Sequence, residues 1–273
     1  YPWKEGSAYL RRPPYTTGPQ RTRLGTYEAE PILVLGDDVS TDQISPAGAV
    51  PPDSETARHL VERGEDPADL NVYSARRGNW QAMVRGLFTN AAVRNLIAPD
   101  LPPGCGVDPQ TGEVLPLHIL ADRLRARGRP AVIVAGARYG QGSSRDWAAK
   151  GPALLGVRAV LASGFERIHR TNLIGMGILP LRLPAELRPE ALALRPGDAV
   201  LIAAEPEALA VRGPVATEIR RADGARLAFE ATAAVETGLE VELLRLGGIV
   251  PLILARARDL ASEPAAQAPR GVV

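Results

Sequence analysis

Residues 131–181 read AVIVAGARYGQGSSRDWAAKGPALLGVRAVLASGFERIHRTNLIGMGILPL, and this stretch decides the fold. Ala131-Val132-Ile133-Val134-Ala135 is an unbroken apolar run, the composition of a strand covered on both faces. Three glycines follow between Gly136 and Gly142, and a helix is predicted from near Ser143 or Ser144 to about Leu155. Ala159-Val160-Leu161-Ala162 predicts a second strand, residues 165–174 a second helix, and Ile178-Leu179-Pro180-Leu181 a third strand. Strands that alternate with helices over short connections imply a parallel sheet with helices packed on it.

Downstream, residues 197–236 carry short alternating runs around Ala222-Asp223-Gly224, which predicts a hairpin. Residues 237–262 read as a mostly helical tail interrupted at Gly247-Gly248 and at Pro251. Upstream, Ile32-Leu33-Val34-Leu35 is a short buried strand that runs into the polar turn 37–42. Residues 54–64 have a Ser cap and a closing glycine, so a short helix is expected there, and 99–112 is a loop by composition. Residues 1–30, with Pro2, Pro13, Pro14 and Pro19, carry no periodic pattern and read as an extended strap.

Composition narrows the function classes. The chain has 273 residues, 45% hydrophobic and 23% charged, which suits a globular body large enough to need no staples. A single cysteine, Cys105, excludes a disulfide framework and a cysteine-held iron–sulfur cluster made within this chain. His59, His118 and His169 form no close pair, so no metal ligands are assigned, and His118 and His169 read as structural histidines. Arginine supplies all but two of the 32 cations, yet 31 acids leave a net charge of +1 and the arginines are scattered. No apolar run is long enough to span a bilayer. The start, Tyr1-Pro2-Trp3, lacks an initiator Met and a signal pattern, and reads as a segment of a longer polypeptide.

The chemistry is expected at Gly140-Gln141-Gly142-Ser143-Ser144-Arg145-Asp146. Glycines let the backbone approach a ligand, a helix start offers free N–H groups to an anion, and Arg145 adds a two-pronged donor. The same residues also suit a tight turn with an ordinary serine cap. The loop 36–48, GDDVSTDQISPAG, ends a strand with three aspartates, a place for function or for solvated turn residues. Arg63, Arg76 and Arg77 form a third cluster, in which Arg63 could simply complement a helix end.

Together, GDDVSTDQISPAGAV, YSARRGNWQAMVRGLFTN and GQGSSRDWAAKGPALLGVRAVLASGFERIHRTNLIGMGILPL resemble the C-terminal (swivel) domain of aconitate hydratase, in its monomeric bacterial, iron-regulatory-protein-like form. The likeness runs from about Tyr1 to VELLRLGGIVPLIL and is loose between about Pro184 and Gly238. It implies an α/β fold, a swivelling β/β/α domain with a largely parallel central sheet and a C-terminal hairpin plus helix. On that basis 1–30 is a strap from preceding domains, 31–190 the swivel core and 191–273 its extension. It implies reversible conversion of citrate and isocitrate through cis-aconitate, in the cytoplasm, at a [4Fe–4S] cluster ligated by other, upstream aconitase domains. Carried over by position, Ser143 would be the base, Asp42 a second catalytic residue, and Arg63, Ser144 and Arg145 substrate-binding residues. The isolated chain would be inactive. Gln43 stands where the family usually has histidine. A 2-methylcitrate or 2-methylisocitrate dehydratase is an alternative in the same class, and an RNA-binding module one in another class.

Overall fold

The computed structural model describes residues 4–16 and 22–262; part of the predicted strap, the opening Tyr1-Pro2-Trp3 and residues 263–273 lie outside the described residues. Nine strands are described: β1 (Gly25–Val34), β2 (Cys105–Val107), β3 (Val114–Pro116), β4 (Ala131–Ala135), β5 (Val157–Ala162), β6 (Leu179–Arg182), β7 (Ala199–Ala204), β8 (Pro214–Arg220) and β9 (Arg226–Ala233). The helices are α1 (Thr41–Ile44), α2 (Glu55–Val61), α3 (Trp80–Arg85), α4 (Leu117–Ala126), α5 (Trp147–Leu154), α6 (Arg167–Gly175), α7 (Pro189–Leu192), α8 (Gly238–Leu246) and α9 (Ile249–Ser262).

Seven strands close a barrel in the order β1-β4-β5-β6-β9-β8-β7. The half β1-β4-β5-β6 is parallel, as the strand–helix alternation requires. The other half is antiparallel, with the β8–β9 hairpin at the predicted turn and β7 closing back onto β1. Within the apolar run of β4, Val132 and Val134 point into the barrel, while Ala131, Ile133 and Ala135 pack outward under the helices. Side chains alternate across a strand, so a continuous run feeds two cores at once. In β8 and β9, by contrast, buried and exposed residues alternate, because one face meets water.

A third cluster, including Leu60, Tyr73, Met83 and Trp147, packs α2 and α3 against the start of α5. Several predicted boundaries move. β1 starts at Gly25, seven residues before the apolar run that signals it. The loop read at 99–112 contains β2, which pairs with β3; three residues are too few to show a period. α5 begins at Trp147, so the serine pair lies in the preceding loop and caps nothing. Pro251 does not interrupt the tail: it is the third residue of α9, where its missing N–H is an orphan in any case.

Candidate functional site

β1 and β4 are parallel neighbours, so the loops that follow them leave the same edge of the barrel. Backbone bonds lace the two loops together: Asp38 N–H donates to Ala137 O (2.9 Å), Gly140 N–H to Val39 O (2.8 Å) and Thr41 N–H to Gln141 O (2.8 Å). Thr41 Oγ1 donates to the Ser143 carbonyl at 2.7 Å, and Gln141 Nε2 to the Asp38 carbonyl at 2.8 Å. The path demands glycine. Gly140 and Gly142 have φ of +85° and +95°, a region other residues enter only with strain.

This lacing brings four of the five sequence-predicted residues together. Arg145 Nη2 lies 2.5 Å from Asp42 Oδ1, and Nη1 donates to the Ser45 carbonyl at 3.3 Å. Asp42 sits in the first turn of α1, whose cap is a reciprocal pair: Ser40 Oγ accepts from Gln43 N–H, and Gln43 Oε1 accepts from Ser40 N–H at 2.7 Å. Ser143 and Ser144 are exposed on the loop between Asp42 and α5. From Gly142 to Trp147, six consecutive backbone N–H groups donate to no acceptor among the described residues. Such a run of unspent donors at a helix start favours an anion.

Two cavities flank Arg145. One, of about 130 Å³, lies between the Gly142–Arg145 loop and the first turns of α6, and includes His169 and Asn172 in its lining. The other, of about 230 Å³, is bordered by Ser45, Ser74, Arg77, Ser144 and Trp147. A cavity of about 550 Å³ among α3, α4 and α5 contains none of the predicted site residues.

The arginine cluster divides. Arg76 is fully buried, 2.5 Å from Glu65, bonded to the Leu70 carbonyl and set over the Tyr9 ring, so it is structural. Arg77 borders the second cavity beside Arg145, and its carbonyl accepts the Trp147 indole N–H at 3.1 Å. Sequence reading named Arg77 without separating it from Arg76; adjacency hides that only one of the two turns inward. Arg63 is exposed on the turn after α2, and its nearest polar partners are His59 Nδ1 and Gln81 Oε1, each at 3.5 Å. The structure does not bring Arg63 into contact with the Asp42–Arg145 pair.

His169 was read as structural, yet it lines the first cavity. Burial pushes its imidazole down to about 4. His59 is likewise pushed down to about 4, by burial and then by Arg85 and Arg63.

The family profile described as the aconitase C-terminal domain matches residues 56–186. An aconitate hydratase A from Thermus thermophilus is 43% identical over 93% of this chain. This chain belongs to the aconitase C-terminal domain family. A phosphinomethylmalate isomerase from Streptomyces viridochromogenes is as similar, at 44% identity over 93% of the chain. This aconitase-type domain spans 28% of the length of each of those two relatives. A solved 3-isopropylmalate dehydratase from Methanocaldococcus jannaschii shares 19% identity at a TM-score of 0.39, over 88% of this chain and 99% of its own, a likeness too low to argue from.

The family implies an iron–sulfur cluster, and the residues present do not fit one. Cys105 is a lone, half-buried thiol whose pKa is raised by burial. Among the described residues no group of three or more His, Cys, Asp or Glu could hold a metal ion. Nor is any described helix long and apolar enough to cross a membrane.

Proposed function

We propose that this domain supplies the proton-abstracting serine and the carboxylate-binding arginine of a cytoplasmic hydro-lyase that interconverts citrate and isocitrate through cis-aconitate, with its [4Fe–4S] cluster ligated by other domains. The observation that carries the reading is the run of six unspent N–H groups at Gly142–Trp147 beside the Arg145 guanidinium. A serine hydroxyl is too weak an acid to ionise in water. Its alkoxide becomes accessible only where fixed donors and positive charge stabilise it. Ser143 lies among such donors, and the residue is exposed, which leaves it accessible to a substrate.

In this reading Ser143 Oγ takes the carbon-bound proton adjacent to a substrate carboxylate. Arg145, held in plane by Asp42 and the Ser45 carbonyl, receives that carboxylate through paired N–H bonds. Ser144 adds a hydroxyl beside it. Arg63 enters only if substrate or a neighbouring domain draws it across from Gln81. A second reading rests on the phosphinomethylmalate isomerase, whose name gives a substituted malate as substrate and whose identity to this chain, 44%, is within a point of the hydratase's 43%. Both substrates present acid groups to the same donors, so the base and the clamp keep their roles.

The test is Ser143→Ala in the complete enzyme, followed by cis-aconitate absorbance. Removal of a group needed only in the transition state lowers kcat by more than about tenfold with KM nearly unchanged. Retention of more than about a tenth of wild-type kcat overturns the assignment of the base. Parallel assays with citrate and phosphinomethylmalate separate the two readings.

A further inference from the structure

The cavity of about 550 Å³ among α3, α4 and α5 holds charges that the proposed chemistry leaves unused. Arg23, Arg85, Arg125 and His118 line it, and Asp122 is the one acid among the described residues of its lining. Asp122 is already spent on an ion pair with Arg125. Arg85 Nη1 donates to the Gln81 carbonyl at 2.6 Å, and Arg23 Nη1 to the carbonyls of Ala153 and Val157 at 3.1 and 3.0 Å. Neither guanidinium has a carboxylate partner among the described residues. Half-buried cations without a counter-ion are costly, so two in one cavity call for an anion. The local field agrees. Burial and then Arg158 push Arg23 down to about 10, burial and then Arg63 lower Arg85, and burial and then Arg85 lower His118. In each case the largest charge effect comes from another arginine.

The donors are within reach of a ligand. Arg85 Nε and Nη2 and both ring nitrogens of His118 have no hydrogen-bond partner among the described residues, yet they are open to solvent, unlike the ring nitrogens of His169. Size and lining set the class of ligand. About 550 Å³ falls within the roughly 300–1,000 Å³ of small-molecule pockets. A guanidinium matches phosphate through paired, fixed donors, and a phosphate monoester carries about two negative charges at neutral pH. That charge balances two unpaired arginines. The neutral His118 ring offers one more N–H donor, while Trp80, Val84, Leu154 and Leu155 supply apolar wall for an organic group. The cavity shares no lining residue with the two that flank Arg145.

We propose that this cavity binds a small phosphate monoester with a flat organic part, such as a nucleoside monophosphate, with Arg23 and Arg85 on the phosphate and the apolar wall against the ring. The test is calorimetric titration of the complete protein with adenosine 5′-monophosphate, adenosine and inorganic phosphate. The monophosphate is expected to bind with a Kd below about 1 mM, and at least about tenfold tighter than either of the others. Arg85→Gln weakens it by about tenfold or more, while Arg145→Gln leaves it within about threefold. Melting curves of the free variants show that they are folded. Should Arg85→Gln unfold, the exposed Arg125→Gln takes its place with the same expected loss, because it frees the Asp122 charge to oppose the phosphate. Absence of binding, or equal binding of adenosine or of phosphate alone, overturns the proposal. So does an affinity that the cavity variant leaves within threefold, or one that Arg145→Gln reduces as far, which would put the anion at the serine loop.

Discussion

Gln43 shows what one side chain can and cannot replace. Its Oε1 accepts the Ser40 N–H at 2.7 Å, which closes the cap of α1 and sets Asp42 against Arg145. That work needs an acceptor, not a titrating proton, and a neutral imidazole also carries one. Gln43→His is therefore expected to change kcat/KM by less than about tenfold, about 1.4 kcal/mol. Gln43→Leu leaves the Ser40 N–H unpaired at a cost of about 1–3 kcal/mol and loosens Asp42. Steady-state kinetics of both variants check this. A gain of about a hundredfold in Gln43→His, with a new inflection near about pH 6.5, would instead mean that a titrating group belongs there. At this scale the meeting of the Asp42 loop with the Ser143–Arg145 loop was legible, because glycine spacing and strand ends mark both. The inward turn of Arg76, beside an exposed Arg77, and the place of His169 in the wall of the first cavity were not, since sequence carries no record of which way a side chain faces.

The loop after β4 is an element whose conformation depends on two glycines with different neighbours. At Gly140 a Cβ would collide with the His169 ring, and φ is left-handed as well. At Gly142 the nearest atom to a Cβ is Thr41 Oγ1 at 3.7 Å, so only the backbone conformation resists substitution. Gly142→Ala is expected to cost about 1 kcal/mol and to leave the loop nearly in place. Gly140→Ala forces α6 and the loop apart and costs several times more, about 3 kcal/mol. Urea denaturation of the two variants gives the comparison; equal losses would mean that the ring does not pack against the loop. Strands β4, β5 and β6 and helices α2 and α6 were read from sequence within one to three residues. Their apolar runs and caps are local signals. The start of α5 was misplaced because Ser143 and Ser144 look like caps, while both lie in the loop before the helix.

At the scale of the molecule, the parallel half of the barrel was legible and its closure was not. Pairing of β7 with β1 joins Gly25 to Ala204 and Ala29 to Val200, far apart in the chain, and nothing in either strand names its partner. Closure also brings α8 onto α6, and there the structure places a buried charge cluster. Arg170 donates to both carboxylate oxygens of Glu240 at 2.9 and 3.0 Å, to Glu236 at 3.2 Å and to the Ala234 carbonyl at 3.0 Å. Burial opposes ionisation of Glu240, but Arg170 and the Glu236 N–H outweigh it and hold its carboxyl below the ordinary value. Arg170→Met strands that carboxylate and is expected to cost about 3–5 kcal/mol at pH 7. The double variant Arg170→Met with Glu240→Gln keeps an acceptor for the Glu236 N–H and removes the stranded charge, so it recovers most of the loss. The pH dependence has a definite sign. With a folded pKa below the unfolded value of about 4.3, Glu240 stabilises the wild type above that pH and loses this contribution as pH falls further. In Arg170→Met the unpaired carboxyl has a raised folded pKa, so its penalty is present at neutral pH and is relieved as pH falls. Relief of that penalty narrows the gap between wild type and Arg170→Met from pH 7 down to about pH 4, and loss of the Glu240 contribution narrows it further below that pH. Urea midpoints across that range measure it, and a gap independent of pH would show that the loss comes from packing of the Arg170 stem rather than from its charge.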